Sequence, residues 1–442
     1  MGGQGDAIAD WQGKRVFVPF ALPGERLSAR LRPAAGGDLA ASDVEILEAA
    51  PDRIAPACRH FGTCGGCALQ HWAEPAYRAW KVELVRQALG HRGLALPARL
   101  EQVFVPQATR RRAEFAAAKQ GGNILLGFHA SGSSAIVDQH ECPILVPALS
   151  RLVPPLRHAL RTVLREGEGA DVLATETLAG VDLLISADDA PNAARRESLA
   201  RFAAENNVAR IGWQAKRGTP EPVVLLRPPQ VRFGEVVVDL PMPSFLQPSA
   251  EGEAALKAAV LAMIGKPKRI AELYAGAGTF TFDLARIGKV HAVEGSKPAL
   301  AALDQAAKRA QLGHRIATEA RDLERAPLTF QELKTYDAVV FDPPRAGAKA
   351  QSEMLAKARV KRIVGVSCNP ATFARDARAL VDGGYDFAAM AIVDQFIWSP
   401  HVELVAEFRQ PPRLSSFEVL EWNPPHDWKY SHPEIRIYRK KQ

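Results

Sequence analysis

Cysteine is scarce, with five in 442 residues. That density excludes a disulfide-stapled scaffold. At ~150 residues per domain the length suits about three domains, each large enough to bury its own core. Long apolar runs are missing as well. The stretch 254–264 falls short of the ~20 residues a membrane helix needs. The first residues, MGGQGDAIADW, carry neither a signal-peptide core nor a myristoylation pattern. Internal repeats and low-complexity tracts are also absent. The expectation is a soluble, cytoplasmic protein with no membrane partner.

What is present is a basic balance and an uneven placement of thiols. Lys and Arg number 56 against 49 Asp and Glu, giving +7, which favours a polyanionic partner. Three cysteines cluster at Cys58, Cys64 and Cys67, one follows at Cys142, and one stands far off at Cys368. This reads as a four-ligand cluster plus a singleton. Four thiolates at such spacing suit either a tetrahedral zinc site or a [4Fe–4S] cluster, and ligand count alone does not choose.

Short β-like runs, KRVFVPF and ERLSARL, flank the turn Leu22-Pro23-Gly24, and SDVEILE follows. They predict a small N-terminal β-barrel, or a plain sheet with no ligand. From Pro51 the composition shifts to Pro, Cys and Gly; then AYRAWKVELVRQALG predicts a helix over about 75–90. Residues 100–240 mix short strands with one amphipathic helix near 195–206. They include the cluster Arg110, Arg111, Arg112, read as a solvated face able to touch phosphate. Beyond 250 helices and strands alternate over ~150 residues, the pattern of a doubly wound parallel α/β sheet.

Within that sheet the strand ending at Leu273 opens into Tyr274-Ala275-Gly276-Ala277-Gly278-Thr279. A glycine turn there lets backbone approach a ligand closely. The next strand ends at Glu294, where a carboxylate can accept from both hydroxyls of a ribose, and Asp322 after the third strand is placed to reach an adenine or is an ordinary exposed acid at a helix start. These features indicate a nucleoside cofactor without saying which. The fourth strand ends in Asp342-Pro343-Pro344-Arg345. Such a tetrad recurs in methyltransferases that act on nucleobases, which points to S-adenosylmethionine. A closed four-cysteine cluster has no open iron, so radical use of that cofactor is not expected.

The fifth strand ends in Ser367-Cys368-Asn369-Pro370, at the same carboxyl edge as Asp342. A buried cysteine is usually inert; one at this edge suits a nucleophile. Carbon 5 of uracil is too weak to attack a sulfonium methyl unaided, and a thiolate adding to carbon 6 supplies the electron density. The adduct then carries a proton on carbon 5 that a base must remove. Glu403, near the start of VELVAEF, is the candidate, the alternative being a surface acid on an edge strand.

The motifs CRHFGTCGGCALQHW, SFLQPS, ELYAGAGTF, FDPPRAG, VSCNPATFARD and HVELVA together resemble the RNA uridine carbon-5 methyltransferases. The likeness spans roughly residues 1–408 and is greatest to the iron-sulfur branch that acts on 23S rRNA. It implies a class I, Rossmann-like catalytic domain over 236–410. An N-terminal TRAM-like RNA-binding barrel of the OB kind would occupy 1–50, and a central α+β iron-sulfur domain 51–235, its helix 75–92 packing on the catalytic domain. It implies Cys368 as nucleophile and Glu403 as general base. Gln247, Tyr274, Thr279, Glu294, Asp322 and Asp342 correspond to S-adenosylmethionine contacts, with Gln247 and Asp342 also facing the uracil. Cys58, Cys64, Cys67 and Cys142 correspond to ligands of a [4Fe–4S] cluster. The partner implied is RNA, ribosomal ahead of transfer RNA, with no obligate protein partner.

This chain departs from the family pattern at Ala275, Thr279, Ser249 and Trp398-Ser399-Pro400. An RNA cytosine carbon-5 methylase is disfavoured because Arg345, not Cys, follows Pro344. The rival from another class is a non-catalytic iron-sulfur RNA-binding protein. The segment 411–442 has no counterpart, and is expected to be disordered or an extra RNA contact.

Overall fold

The computed structural model describes residues 1–216 and 218–411, so the expectation for the C-terminal tail falls almost wholly outside it. At the N-terminus β1 (Ala7–Trp11), β2 (Lys14–Val18), β3 (Arg26–Pro33) and β4 (Leu39–Glu48) pair in the order β1-β2-β4-β3. Val16, Val18, Ala21 and Ala41 form their small core. The edge strands β1 and β3 do not pair with each other, so the expected barrel is an open sheet in its hydrogen bonding. The OB-fold is itself a partly open barrel, of five strands, and this sheet has four.

Helix α1 (Glu74–Gly90) starts with Pro75 in its first turn, where the fixed φ of proline suits a helix and no donor is lost. Its buried residues face two ways. Tyr77 and Trp80 pack with Leu69 and Trp72 beneath the cysteine-rich loop, while Val82, Val85 and Leu89 join the core of the catalytic sheet. Strand β5 (Arg99–Phe104) then pairs in parallel with the edge of that sheet. Helix α1 thus packs on the catalytic sheet as expected, while β5, expected within the central domain 51–235, is a strand of the catalytic sheet.

The central lobe consists of β6 (Arg112–Gln120), β7 (Asn123–His129), β8 (Ile136–Asp138), α2 (Pro147–Val163), β9 (Gly169–Thr177), β10 (Gly180–Ala187), α3 (Ala193–Glu205), β11 (Val208–Ala215) and β12 (Glu221–Leu225). Its sheet runs β12-β11-β10-β9-β6-β7-β8. Helix α2 is absent from the expectations drawn from sequence. Its stripe Leu149, Leu152, Val153, Leu156, Leu160 and Val163 has helical spacing, but Pro154 and Pro155 lie inside it and read as a break. Burial of the whole stripe in the lobe's core outweighs the lost backbone bonds.

The hairpin β13 (Gln230–Phe233) and β14 (Val236–Asp239) leads to α4 (Ala250–Ile264), capped by Ser249, whose hydroxyl accepts from Gly252 N. Then come β15 (Arg269–Leu273), α5 (Thr281–Ile287), β16 (Lys289–Glu294), α6 (Lys297–Arg309), β17 (Ile316–Ala320), α7 (Phe330–Leu333) and β18 (Ala338–Phe341). The chain continues through α8 (Lys349–Ala358), β19 (Arg362–Ser367), α9 (Pro370–Asp382), β20 (Asp386–Asp394) and β21 (Glu403–Arg409). The sheet order is β17-β16-β15-β18-β19-β21-β20-β5. Five strands from β17 to β19 are parallel, as the alternating pattern predicts, and β21 inserts antiparallel between β19 and β20. Among the described residues no helix is long and apolar enough to cross a membrane.

Candidate active site

The strand order reverses between β15 and β18, where an open α/β sheet leaves a crevice at its carboxyl ends. Tyr274 leaves β15 with φ 62, followed by Gly276 at φ 57 and Gly278 at φ 106. A Cβ placed on Gly276 would meet nothing within 4 Å, so that side of the turn is open to a ligand. Glu294, at the end of β16, accepts from Gly276 N at 2.9 Å and Ser296 N at 2.6 Å. It fastens the turn while staying at the crevice. Asp322 accepts from Glu324 N and Arg325 N at 3.1 and 3.3 Å, holding its own turn beyond β17. Thr279 lies half-buried at the end of the glycine turn. The turn, its open side and the carboxylates of Glu294 and Asp322 fit a nucleoside cofactor.

Asp342 follows β18 beside that turn. The residue is partly exposed, yet protein encloses its carboxyl, and this burial raises it to about 7. Next along, Ser367 at the end of β19 pairs with Leu404 of β21. Because β21 runs antiparallel, its first residue, Glu403, comes to the same edge as Cys368. Burial raises the Glu403 carboxyl to about 8, with Asp342 adding to the rise and Gln395 opposing it. Burial likewise raises the Cys368 thiol to about 11; Glu403 and Asp342 push the same way, and the Arg345 guanidinium opposes them.

Gln395 Nε2 donates to Gln247 Oε1 at 2.7 Å and to Glu403 Oε1 at 3.3 Å, with all three side chains buried. Gln247 is fixed in turn by Arg111, whose Nε donates to the Gln247 carbonyl at 3.0 Å and whose Nη2 meets Glu253 at 2.5 Å. Arg112 donates to the Ser244 carbonyl. Arg111 and Arg112 thus form a half-buried clamp between the central lobe and the segment 244–253, and Arg110 lines the cysteine cavity, a correction to the cluster's expected role as a solvated, phosphate-touching face. Cys368 itself opens into a cleft of about 380 Å³ lined by Gln4, Gln87, His91, Arg92, Arg345 and His401, among others.

A family model described as tRNA (Uracil-5-)-methyltransferase matches residues 234–407. An uncharacterised RNA methyltransferase of Agrobacterium fabrum is 43% identical over 415 residues, covering 92% of this chain and 97% of the relative. The 23S rRNA (uracil(1939)-C(5))-methyltransferase of Chromohalobacter salexigens is 34% identical over 436 residues, covering 93% and 88%. The chain belongs to the RNA (uracil-5-)-methyltransferase family. The fold agrees: the Pyrococcus abyssi tRNA (uracil-54, C5)-methyltransferase in complex with S-adenosyl-L-homocysteine superposes with a TM-score of 0.71 at 23% identity, covering 91% and 97%. This uracil-5 methyltransferase therefore carries a class I fold and uses S-adenosylmethionine.

Cys58, Cys64, Cys67 and Cys142 line one cavity of about 430 Å³, together with His60, Arg110, Phe396 and His401. Among the described residues no set of three or more His, Cys, Asp or Glu is arranged to hold a metal ion. The thiols surround the cavity rather than closing to the spacing of a single ion. Burial, and then the other cysteines, hold Cys67 up at about 12, while Gln70 opposes the rise. Burial raises Cys142 to about 11. Gly66 N donates to Cys64 Sγ at 3.5 Å. The four thiols line one cavity, and as thiolates they are the donor set an inorganic core would need.

Two residues of the methyltransferase were not foreseen. Gln395 directly follows an apolar strand, and the polar pair Asp394-Gln395 after MAIV is the signal that marks it. Glu272 sits inside β15, where burial raises it to about 8. Thr281 lies close enough to oppose that rise, yet at hydrogen-bonding geometry neither Glu272 oxygen nor Thr281 Oγ1 has a partner. Ser249 and Trp398, which depart from the family pattern, have local work: Ser249 caps α4, and Trp398, at φ 60, receives two backbone bonds from the cysteine loop.

Proposed function

We propose that this methyltransferase acts on a uridine of 23S rRNA in the cytoplasm, with Cys368 as nucleophile and Glu403 as base. The observation that carries the reading is the β19–β21 register, which brings these two side chains and Asp342 to one edge of the sheet. Gln247, Tyr274, Thr279, Glu294, Asp322 and Asp342 are the residues that would hold S-adenosylmethionine. That cofactor, when bound, supplies an electrophilic methyl group. The Cys368 thiolate adds to carbon 6 of the uracil, and the electron pair released into the ring makes carbon 5 able to accept the methyl. Glu403 then removes the carbon 5 proton, the 5,6 double bond re-forms and the thiolate leaves. Its raised pKa suits a base that must hold that proton. Arg345 opposes the negative neighbours of Cys368, and Gln395 orients Glu403.

The name of the 34% identical relative supports ribosomal RNA as the substrate. The N-terminal sheet, the central lobe and the basic cleft at Cys368 are the surfaces proposed to meet the RNA, and the base is flipped out to reach the thiol. In the thiol-lined cavity Cys58, Cys64, Cys67 and Cys142 would hold a [4Fe–4S] cluster, as a structural support close to the site. Iron with acid-labile sulfide in the purified protein supports that assignment; zinc alone contradicts it. Nucleoside mass spectrometry of 23S rRNA and of tRNA, from cells with and without the gene, tests the substrate. Loss of 5-methyluridine confined to 23S rRNA is expected, and loss confined to tRNA would overturn the reading.

A further inference from the structure

The loop from Gln395 to Val402 joins β20 to β21 and delivers Glu403 to the site. A buried polar network on α1 holds it at three points. Asp394, at the loop's start, receives Lys81 Nζ at 3.0 Å and the Tyr77 hydroxyl, and its carboxylate caps the loop by accepting from Phe396 N at 3.2 Å. Mid-loop, Trp398 N donates to Tyr77 Oη at 3.0 Å. Near the end, Lys81 Nζ donates to the His401 carbonyl. The Lys81 and Asp394 side chains are 0% and 2% exposed.

Such a pair is a poor way to stabilise a fold, since desolvation offsets most of the attraction, and an apolar pair would fill the same space. What it provides is directional: its bonds lead to the segment carrying Gln395 and Glu403. The network also reaches the thiol cavity. The Trp398 carbonyl accepts from Ala68 N and Leu69 N, directly after Cys67, at 2.8 and 3.1 Å. His401 lines both the thiol cavity and the Cys368 cleft.

We propose that Tyr77, Lys81 and Asp394 are positioning residues for the proton-removal step, setting Gln395 and Glu403 against the Cys368 adduct and tying that geometry to the cysteine loop. The inference rests on the assignment of Cys368 and Glu403 above. It separates one step from the others: a loosened loop slows removal of the carbon 5 proton while addition of the thiolate and cofactor binding stay intact.

The test uses full-length Tyr77→Phe, which keeps the ring and loses the hydroxyl, alongside Lys81→Met, Glu403→Gln and wild type. Each is incubated with 23S rRNA from cells lacking the gene, quenched, and assayed for 5-methyluridine and for protein–RNA adduct on a denaturing gel. Turnover by Tyr77→Phe should fall about 10- to 100-fold, with accumulating adduct and an unchanged KM for S-adenosylmethionine. Lys81→Met should behave alike, and because it leaves the buried Asp394 without its cation the decision rests on Tyr77→Phe. Wild-type turnover in Tyr77→Phe, or a fall without adduct, overturns the inference. Should Glu403→Gln trap adduct while Tyr77→Phe does not, the inference alone fails. Absence of adduct in Glu403→Gln overturns the base assignment and the inference with it.

Discussion

Cys368 and Glu403 lie 35 residues apart in sequence yet sit side by side, because Ser367 pairs with Leu404 across an antiparallel ladder. A wholly parallel sheet would have carried Glu403 to the opposite edge. The inserted strand β21 is what brings that carboxyl to the thiol.

The first prediction concerns the base. With its pKa at about 8, Glu403 is mostly protonated at neutral pH in the free enzyme, and only the carboxylate can take a proton. Resolution of the adduct should therefore quicken as pH rises towards 8. Asp342→Asn removes a negative neighbour, lowers the Glu403 pKa and shifts that rise to lower pH. Glu403→Gln should slow turnover by about 10²- to 10⁴-fold. Single-turnover kinetics across pH 6–9 check these shifts, and an unmoved profile in Asp342→Asn counts against the coupling.

A second prediction follows from the thiol. Raised to about 11, Cys368 should alkylate slowly at neutral pH, with a rate that climbs steeply into alkali. Above about pH 8, where Glu403 is ionised, Glu403→Gln takes away a repelling charge and should speed the reaction, whereas Arg345→Gln should slow it. Mass spectrometry of the Cys368 peptide after iodoacetamide separates it from the other four thiols.

Much of this was legible in the sequence. Helix–strand alternation after 250 gave the parallel sheet, and strand-end residues 274–279, 294, 342 and 368 all fall at the crevice, because the carboxyl ends of parallel strands share one edge. The rest was hidden for definite reasons. Pro154-Pro155 masked α2, since local chemistry argues for a break and only tertiary burial overrides it. Arg110 to Arg112 read as a solvated run because no periodicity reveals that Gln247, Glu253 and Ser244 come to meet two of them. β5 could not be assigned to the catalytic sheet because strand pairing across nearly 300 residues leaves no local trace.

Stability should depend on pH through three buried carboxyls. Glu272, Asp342 and Glu403 are raised to about 8, 7 and 8. Between about pH 4, where unfolded carboxyls titrate, and about 8 the native state holds more protons than the unfolded one. Stability must then fall as pH rises through that window. Denaturant unfolding at pH 5, 6.5 and 8 should show the fall, and Glu272→Gln should flatten it and raise stability at pH 8. Equal or greater stability at pH 8 than at pH 5 in wild type would argue against these shifts.

Glu294 makes the fourth case. Its carboxylate bonds to Gly276 N and Ser296 N, so Glu294→Ala should loosen the glycine turn and remove a ribose acceptor together. Losing charge-assisted bonds of ~1.5–3 kcal/mol predicts at least a tenfold rise in the Kd for S-adenosylmethionine, read by calorimetry. Thiol alkylation at Cys368 should be unchanged in that variant.

The central claim, covalent catalysis by Cys368 with Glu403 as base, is tested most directly with RNA carrying 5-fluorouridine at the target position. Fluorine on carbon 5 leaves no proton to remove, so the methylated adduct cannot resolve. Wild-type protein with S-adenosylmethionine should give a stable protein–RNA complex, with mass spectrometry placing the link on Cys368, and Cys368→Ala should give none. A complex that survives in Cys368→Ala, or no complex with wild type, contradicts the account.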